Sequence, residues 1–336
     1  MKPNGRVLRS QEYAGLTSPS ASDLPLRLPA SGIVAFLLLA CAALPAQEVS
    51  RPRILGVPHV AFRVHDIEAS RHFYKDFLGY SEPFSIKAAD GKLIMTFVKI
   101  NDRQYIELSP ETNPDQPRFM HLALETDNAE ALRQYLKSKG YKVSDKPASK
   151  GRIGNTATGI DDPDGDHIDV TQYEPGSSTI KDVGKDMSDA RISTRLLHVG
   201  FYVSKPETAR FYIDTLGFRE FWRGSADGKR ASYSNVRVPE GCDYVEFILG
   251  PVPTPERRGT VYHIALEVPD MDAALAKLNA SPARKDYTRK IEVHTGRNHK
   301  RQANLFDPDG TRVELMEDHT VDGLPSPMAA LPMFAK

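Results

Sequence analysis

The stretches Pro58-His59-Val60-Ala61-Phe62-Arg63-Val64 and Leu197-His198-Val199-Gly200-Phe201-Tyr202-Val203 both alternate in the manner of a β-strand and place a histidine near its start. Met120-His121-Leu122-Ala123-Leu124-Glu125 and Tyr262-His263-Ile264-Ala265-Leu266-Glu267 repeat the pattern. Each histidine is followed by a carboxylate in a second apolar segment: Tyr105-Ile106-Glu107-Leu108, His167-Ile168-Asp169-Val170, Tyr244-Val245-Glu246-Phe247 and Arg312-Val313-Glu314-Leu315. The interval is 48 residues from 59 to 107, from 121 to 169 and from 198 to 246, and 51 from 263 to 314. Spacing of this regularity marks an internal repeat of four units, each keeping one imidazole and one carboxylate, side chains that serve as ligands for divalent metals. Because alternate strand residues share a face, each pair can point inward from two strands of one small sheet.

Between histidine and carboxylate the units also agree. Asp66 to Tyr80 and Lys205 to Phe218 read as helices closed by Gly79 and Gly217, glycines suited to a left-handed cap. Asn128 to Lys139 and Met271 to Asn279 read as shorter helices, so each unit is a strand, a helix, then two or three strands. The second and fourth units reach their carboxylate through Asp162-Pro163-Asp164-Gly165 and Asp307-Pro308-Asp309-Gly310, strong turn chemistry. Arg152 and Arg297 each lie ten residues before the first Asp of that turn, at 162 and 307, and His294 and His299 flank the Arg297 loop. Arg152, Arg297 and His299 are therefore candidate substrate contacts.

The chain of 336 residues balances 44 basic against 44 acidic side chains, which leaves no electrostatic footprint for nucleic acid and no polybasic membrane patch; a small-molecule partner is expected. Ile33 to Leu44 is apolar, follows Arg6, Arg9 and Arg27, and runs into Ala42-Ala43-Leu44-Pro45-Ala46. It is too short for a stable membrane span and reads as a secretory signal cleaved near Ala46, so the protein is expected to be exported, to a periplasm or outside the cell. Leu38-Leu39-Ala40-Cys41 also resembles a lipobox, which makes a lipoprotein anchored through Cys41 the alternative. With Cys41 gone, Cys242 has no partner for a disulfide and reads as a packing residue. The organisation expected is a signal peptide over 1–46, a first domain over 47–174, a linker over 175–194, a second domain over 195–317 and a flexible tail over 318–336. Monomer and homodimer are both compatible with it.

From about Leu55 to Glu317 these segments resemble the vicinal oxygen chelate superfamily, which includes glyoxalase I, methylmalonyl-CoA epimerase, fosfomycin-resistance proteins and extradiol dioxygenases. The second half is most similar to glyoxalase I, through Arg195-Leu196-Leu197-His198, Tyr244-Val245-Glu246, Tyr262-His263-Ile264-Ala265-Leu266 and Asp307 to Glu317. The resemblance implies an α+β fold of two domains built from four βαβββ modules, with cupped mixed sheets around a divalent metal. It implies His198, Glu246, His263 and Glu314 as ligands, with His59, Glu107, His121 and Asp169 as their first-half equivalents, the Asp one methylene shorter than the usual Glu. Two imidazoles with two carboxylates suit an octahedral Ni, Zn, Mn, Fe or Co ion. Modules in this superfamily pair within a domain or by exchange, and the sequence leaves that choice open.

Three chemistries compete under this resemblance. A lyase or isomerase of the glyoxalase or epimerase kind needs a metal and a movable carboxylate base, which Glu314 and Glu246 would supply. An Fe(II) extradiol dioxygenase would use His198, His263 and Glu314, but that pattern has no carboxylate at the Glu246 place. A non-catalytic binding protein of the bleomycin-resistance kind would not need the full ligand set. Export argues against glyoxalase I activity itself, whose thiol cosubstrate is cytosolic.

Overall fold

The computed structural model describes residues 49–250, 253–254 and 258–334. The expected signal sequence and lipobox lie outside the described residues. Among those described, no helix is long and apolar enough to cross a membrane.

The first half contributes strands β1 (Ile54–Gly56), β2 (His59–Val64), β3 (Ser81–Lys87), β4 (Leu93–Lys99), β5 (Tyr105–Pro110), β6 (Phe119–Thr126), β7 (Ser149–Lys150), β8 (Thr156–Asp161) and β9 (His167–Gln172). The second half contributes β10 (Leu196–Val203), β11 (Arg219–Gly224), β12 (Tyr233–Arg237), β13 (Tyr244–Leu249), β14 (His263–Val268), β15 (Val293–Thr295), β16 (Lys300–Phe306) and β17 (Arg312–Thr320). The sheet orders are β3-β4-β5-β2-β6-β9-β8-β7, with β1 added beside β6, and β11-β12-β13-β10-β14-β17-β16-β15. Each half is thus two βαβββ modules joined through their first strands, β2 to β6 and β10 to β14, both antiparallel. Within every module the first and last strands are parallel neighbours, which is what a helical crossover between them permits.

The odd and even residues of each strand have different tasks. Val60, Phe62, Ile106, Leu108, Leu122 and Leu124 face the helices and are essentially inaccessible, as are Val199, Phe201, Val245, Phe247, Ile264 and Leu266. The opposite faces carry the histidines and carboxylates. The helices start where caps are supplied: Asp66 accepts from the Glu68 and Ala69 amides, Asn128 from Ala131 and Asp270 from Ala273, each cap contributing about 1 kcal/mol. Both longer helices widen into π-turns, over His72–Phe77 and Phe211–Thr215, before Gly79 and Gly217 leave them at φ 80 and 79°. The alternating apolar pattern does not announce that widening.

Each Asp-Pro-Asp-Gly turn does more than reverse the chain. Asp164 accepts the Ser204 amide at 2.8 Å, at the start of the second-half helix, and Asp309 accepts the His65 amide at 2.9 Å, at the start of the first-half one. The Tyr212 and Tyr74 hydroxyls donate to Asp162 and Asp307, both at 3.2 Å. Each half therefore binds the backbone that leads into the other half's helix.

The expected linker and the expected flexible tail both make hydrogen bonds with the sheets. In the 175–194 stretch a helical turn over Ser178–Lys181 leads to Asp182, whose carbonyl and carboxylate both receive the buried Lys99 ammonium, at 2.7 and 2.8 Å. The tail beyond Asp318 continues β17 to Thr320 and then runs beside β11, where Trp222 Nε1 donates to the Pro327 carbonyl at 2.8 Å and the Ala329 amide to the Arg223 carbonyl at 2.8 Å. Most of these anchors are backbone carbonyls, and composition does not reveal them. Cys242 is free and exposed, in the turn before β13 rather than packed.

Candidate metal centres

Strand register brings the ligand candidates together. Ala61 lies opposite Glu107 on one side and His121 on the other, and His59 is two residues away on the same face. Gly200 lies likewise between Glu246 and His263, with His198 two residues away. Asp169 and Glu314 pair with Ala123 and Ala265, each two residues from a histidine. Both sets of four therefore converge within their own half, which resolves how the modules pair.

In the second half His198 Nε2 is 3.1 Å from His263 Nε2, Glu246 Oε2 is 3.9 Å from the first and 3.4 Å from the second, and Glu314 Oε2 is 3.8 Å from His263 Nε2. In the first half His59 Nε2 is 3.0 Å from His121 Nε2, Glu107 Oε2 is 3.9 and 3.8 Å from the two, and Asp169 Oδ2 is 3.9 Å from His59. Two nitrogens bound at right angles to one octahedral ion at ordinary distances stand about 3.0 Å apart. The imidazole pairs have that separation, so the donor sets fit a divalent metal. His198, Glu246 and His263, and His59, His121 and Asp169, each present ligand atoms within 4.8 Å of one another.

Burial prepares the imidazoles for this role. It pushes His59 down to about 4, His198 and His263 down to about 3, and His121 well below the usual range, so all four are neutral near pH 7. The carboxylates move the other way. Burial, with Asp169 beside it, lifts Glu107 to about 7; burial lifts Asp169 to about 6 and raises Glu314 as well. A bound dication would offset that penalty.

The two halves differ in what supports the ligands. His263 Nδ1 is 2.7 Å from the Val261 carbonyl, which fixes its N–H there and turns Nε2 into the acceptor. His198 Nδ1 is 2.9 Å from the Tyr244 hydroxyl. Gly200 makes room for the His263 ring, since a Cβ there would lie 1.9 Å from its Cε1. In the first half the matching tyrosine, Tyr105, donates instead to Asp182 at 3.1 Å, and Ala61 stands in the glycine's place. Tyr244→Phe is accordingly expected to weaken metal affinity of the second half by about 10- to 100-fold, measured by competition with a chromophoric chelator, whereas Tyr105→Phe should leave it unchanged.

Of the other residues singled out, Arg152 and Arg297 are exposed near the cups: Arg152 draws the Glu107 carboxyl down against its burial, and Arg297 does the same to the Tyr233 hydroxyl while Nη2 donates to the Ala226 carbonyl at 3.1 Å. His299 occupies a turn at φ 59°, with Nδ1 3.2 Å from Asp322 Oδ2, and is not gathered with the ligands. Sequence reasoning passed over Asn235, Asn304 and the role of Arg312. Asn235 lies directly opposite Glu246 and Asn304 directly opposite Glu314, a relation visible only once the antiparallel register is known.

The family model for the Glyoxalase/Bleomycin resistance protein/Dioxygenase superfamily matches residues 56–170 and 195–315, and the chain belongs to that superfamily. Among solved structures it is similar to a mutant of homoprotocatechuate 2,3-dioxygenase from Brevibacterium fuscum, with TM-score 0.61 and 17% identity over 80% of this chain and 72% of that one. It is also similar to the Mn(II)-bound glyoxalase from Novosphingobium aromaticivorans, with TM-score 0.58 and 19% identity over 84% of this chain and 87% of that one. The 2,3-dioxygenase LapB from Pseudomonas sp. KL28 gives TM-score 0.59 and 16% identity over 82% and 97%. At these identities the likeness is one of fold. No curated protein matches the sequence.

Proposed function

We propose that the protein is a metal-dependent enzyme acting on a small oxygenated substrate by proton transfer, a lyase or isomerase of the glyoxalase and epimerase kind. The observation that carries this reading is the second carboxylate of the centre, Glu246, whose Oε2 stands 3.4 Å from His263 Nε2 in a set that already holds Glu314. Two imidazoles and two carboxylates leave one carboxylate able to serve as base, whereas the set typical of Fe(II) oxygenases uses a single carboxylate and keeps positions open for substrate and oxygen. A divalent ion, Ni, Zn, Mn, Fe or Co, would polarise the substrate oxygens and acidify the adjacent C–H. Glu314, whose proton affinity burial has raised, is positioned to take that proton. Glu246, across the site with Oε2 3.4 Å from His263 Nε2, is the partner for its return. Elemental analysis of the purified chain, followed by solvent-deuterium exchange into α-hydroxycarbonyl and thioester substrates, tests the reading.

Ring cleavage of a catechol is the second reading, supported by the fold shared with homoprotocatechuate 2,3-dioxygenase. It would rest on His198, His263 and Glu314 and would require Fe(II) and oxygen uptake.

Export is part of the proposal, on the strength of the apolar run from Ile33 to Leu44 and the small residues that close it. Mass spectrometry of the protein secreted by a native-like host should find Gln47 near the new N-terminus. An intact terminus at Met1 refutes this, and a lipidated Cys41 establishes the anchored alternative.

A further inference from the structure

We infer that the second-half centre selects a substrate bearing a carboxylate besides the oxygens it offers the metal, and that Arg312 receives it. This deepens the metal-dependent reading above and rests on it. Arg312 is two residues before Glu314 on β17, on the same face, and opposite His263 in the parallel ladder. Its guanidinium is mostly buried, forms no hydrogen bond among the described residues, and leaves Nε buried without a partner. Glu314 Oε2 lies 3.9 Å from its Nη1, too far for the paired bonds this group favours. The same chain shows what a committed arginine does: Arg71 grips Glu82 through Nε and Nη2 at 2.9 and 2.7 Å. A planar cation with unused donors beside the ligand set is a receptor for a planar anion.

Two further groups at the centre are open as well, as acceptors that a substrate hydroxyl or a water would complete rather than the carboxylate. Among the described residues the Oδ1 atoms of Asn235 and Asn304 have no partner, and Asn235 is 3% exposed. Each amide lies opposite one carboxylate ligand, on β12 and β16, so the pair brackets the centre. Buried polar groups are normally satisfied, and groups left open beside a site are completed by what binds there. The first half lacks all three. Phe97 lies opposite Glu107, Gly159 opposite Asp169, and His167 takes the place of Arg312, its ring over Gly159 where a Cβ would come within 2.5 Å. The two cups therefore differ in ligand preference, with the carboxylate receptor confined to the second.

The test uses the full chain loaded with Mn(II), loading being verified first by elemental analysis. Calorimetric titration compares acetohydroxamate, which offers only a chelating pair of oxygens, with the monohydroxamates of malonic, succinic and glutaric acids, which add a carboxylate at increasing reach. At least one of the three should bind about 10- to 100-fold more tightly than acetohydroxamate, the contribution of a charge-assisted pair. In Arg312→Gln the preference should fall to within about threefold while acetohydroxamate still binds. Arg312→Lys, which keeps the charge without the planar fork, should retain an intermediate preference and shows that the fold tolerates change there. Equal affinity for all four ligands, a preference that survives Arg312→Gln, or failure of every hydroxamate on loaded protein overturns the inference. Failure to take up Mn(II) overturns the metal-dependent reading beneath it instead.

Discussion

His263→Ala is expected to lower bound metal by about one equivalent per chain, that of the second half, while the sheet remains folded. His263 is fully buried, its Nδ1 is held by the Val261 carbonyl, and its Nε2 is the atom nearest to three others of the set: His198 at 3.1 Å, Glu246 at 3.4 Å and Glu314 at 3.8 Å. Removing it takes away the ligand around which the rest are arranged, and it leaves two carboxylates facing each other without the dication that offsets their charge. Loss of a buried imidazole costs the fold about 1–3 kcal/mol, within what a domain of this size tolerates. The flanking strands are built on apolar contacts of the opposite face, Ile264 and Leu266 among them, which the substitution does not touch. Elemental analysis of wild type, His263→Ala and the matching His121→Ala separates the two halves, with circular dichroism reporting the fold. Unchanged stoichiometry in His263→Ala sinks the assignment of the second-half ligands.

Both candidate sets stood out because their chemistry is repeated along the chain. A histidine and a carboxylate 48 residues apart in three units and 51 in the fourth survive as a pattern whatever the loops between them do. Helix positions were equally open to reading, since Asp66, Asn128, Asp270, Gly79 and Gly217 act locally on the backbone. Module pairing was not legible: it depends on β2 meeting β6 and β10 meeting β14, contacts between segments some sixty residues apart in sequence. The same long-range register hides Asn235 and Asn304, which nothing in their neighbourhood marks but which lie opposite Glu246 and Glu314. Arg312 was visible as part of the last motif, yet its open donors appear only once the described residues around it are seen to make no hydrogen bond to them. Tyr244 and Tyr105 occupy equal places in the repeat and do different work, one on His198 and the other on Asp182. Sequence equivalence shows where a side chain sits in the sheet; its partner comes from packing that the repeat does not preserve.

Glu314→Gln is expected to abolish exchange of a substrate C–H proton with solvent deuterium while much of the metal stays bound. The carboxylate stands 3.8 Å from His263 Nε2, buried in the first part of β17 beside β14, and burial raises its proton affinity. The amide keeps the size and one weak oxygen donor but cannot accept the proton, so chemistry and binding should part. General-base catalysis typically contributes about 100- to 10,000-fold, the loss to look for in the exchange rate. Glu246→Gln removes the other carboxylate of the set without touching this base, so residual exchange there and none in Glu314→Gln would assign proton abstraction to Glu314. The ring-cleavage reading makes the opposite demand: activity that requires Fe(II), consumes oxygen and shows no solvent exchange with any α-hydroxycarbonyl or thioester substrate. Oxygen uptake across a catechol panel under Fe(II), with exchange absent throughout, would transfer the function from proton transfer to oxygenation and recast Glu314 as the single carboxylate beside His198 and His263.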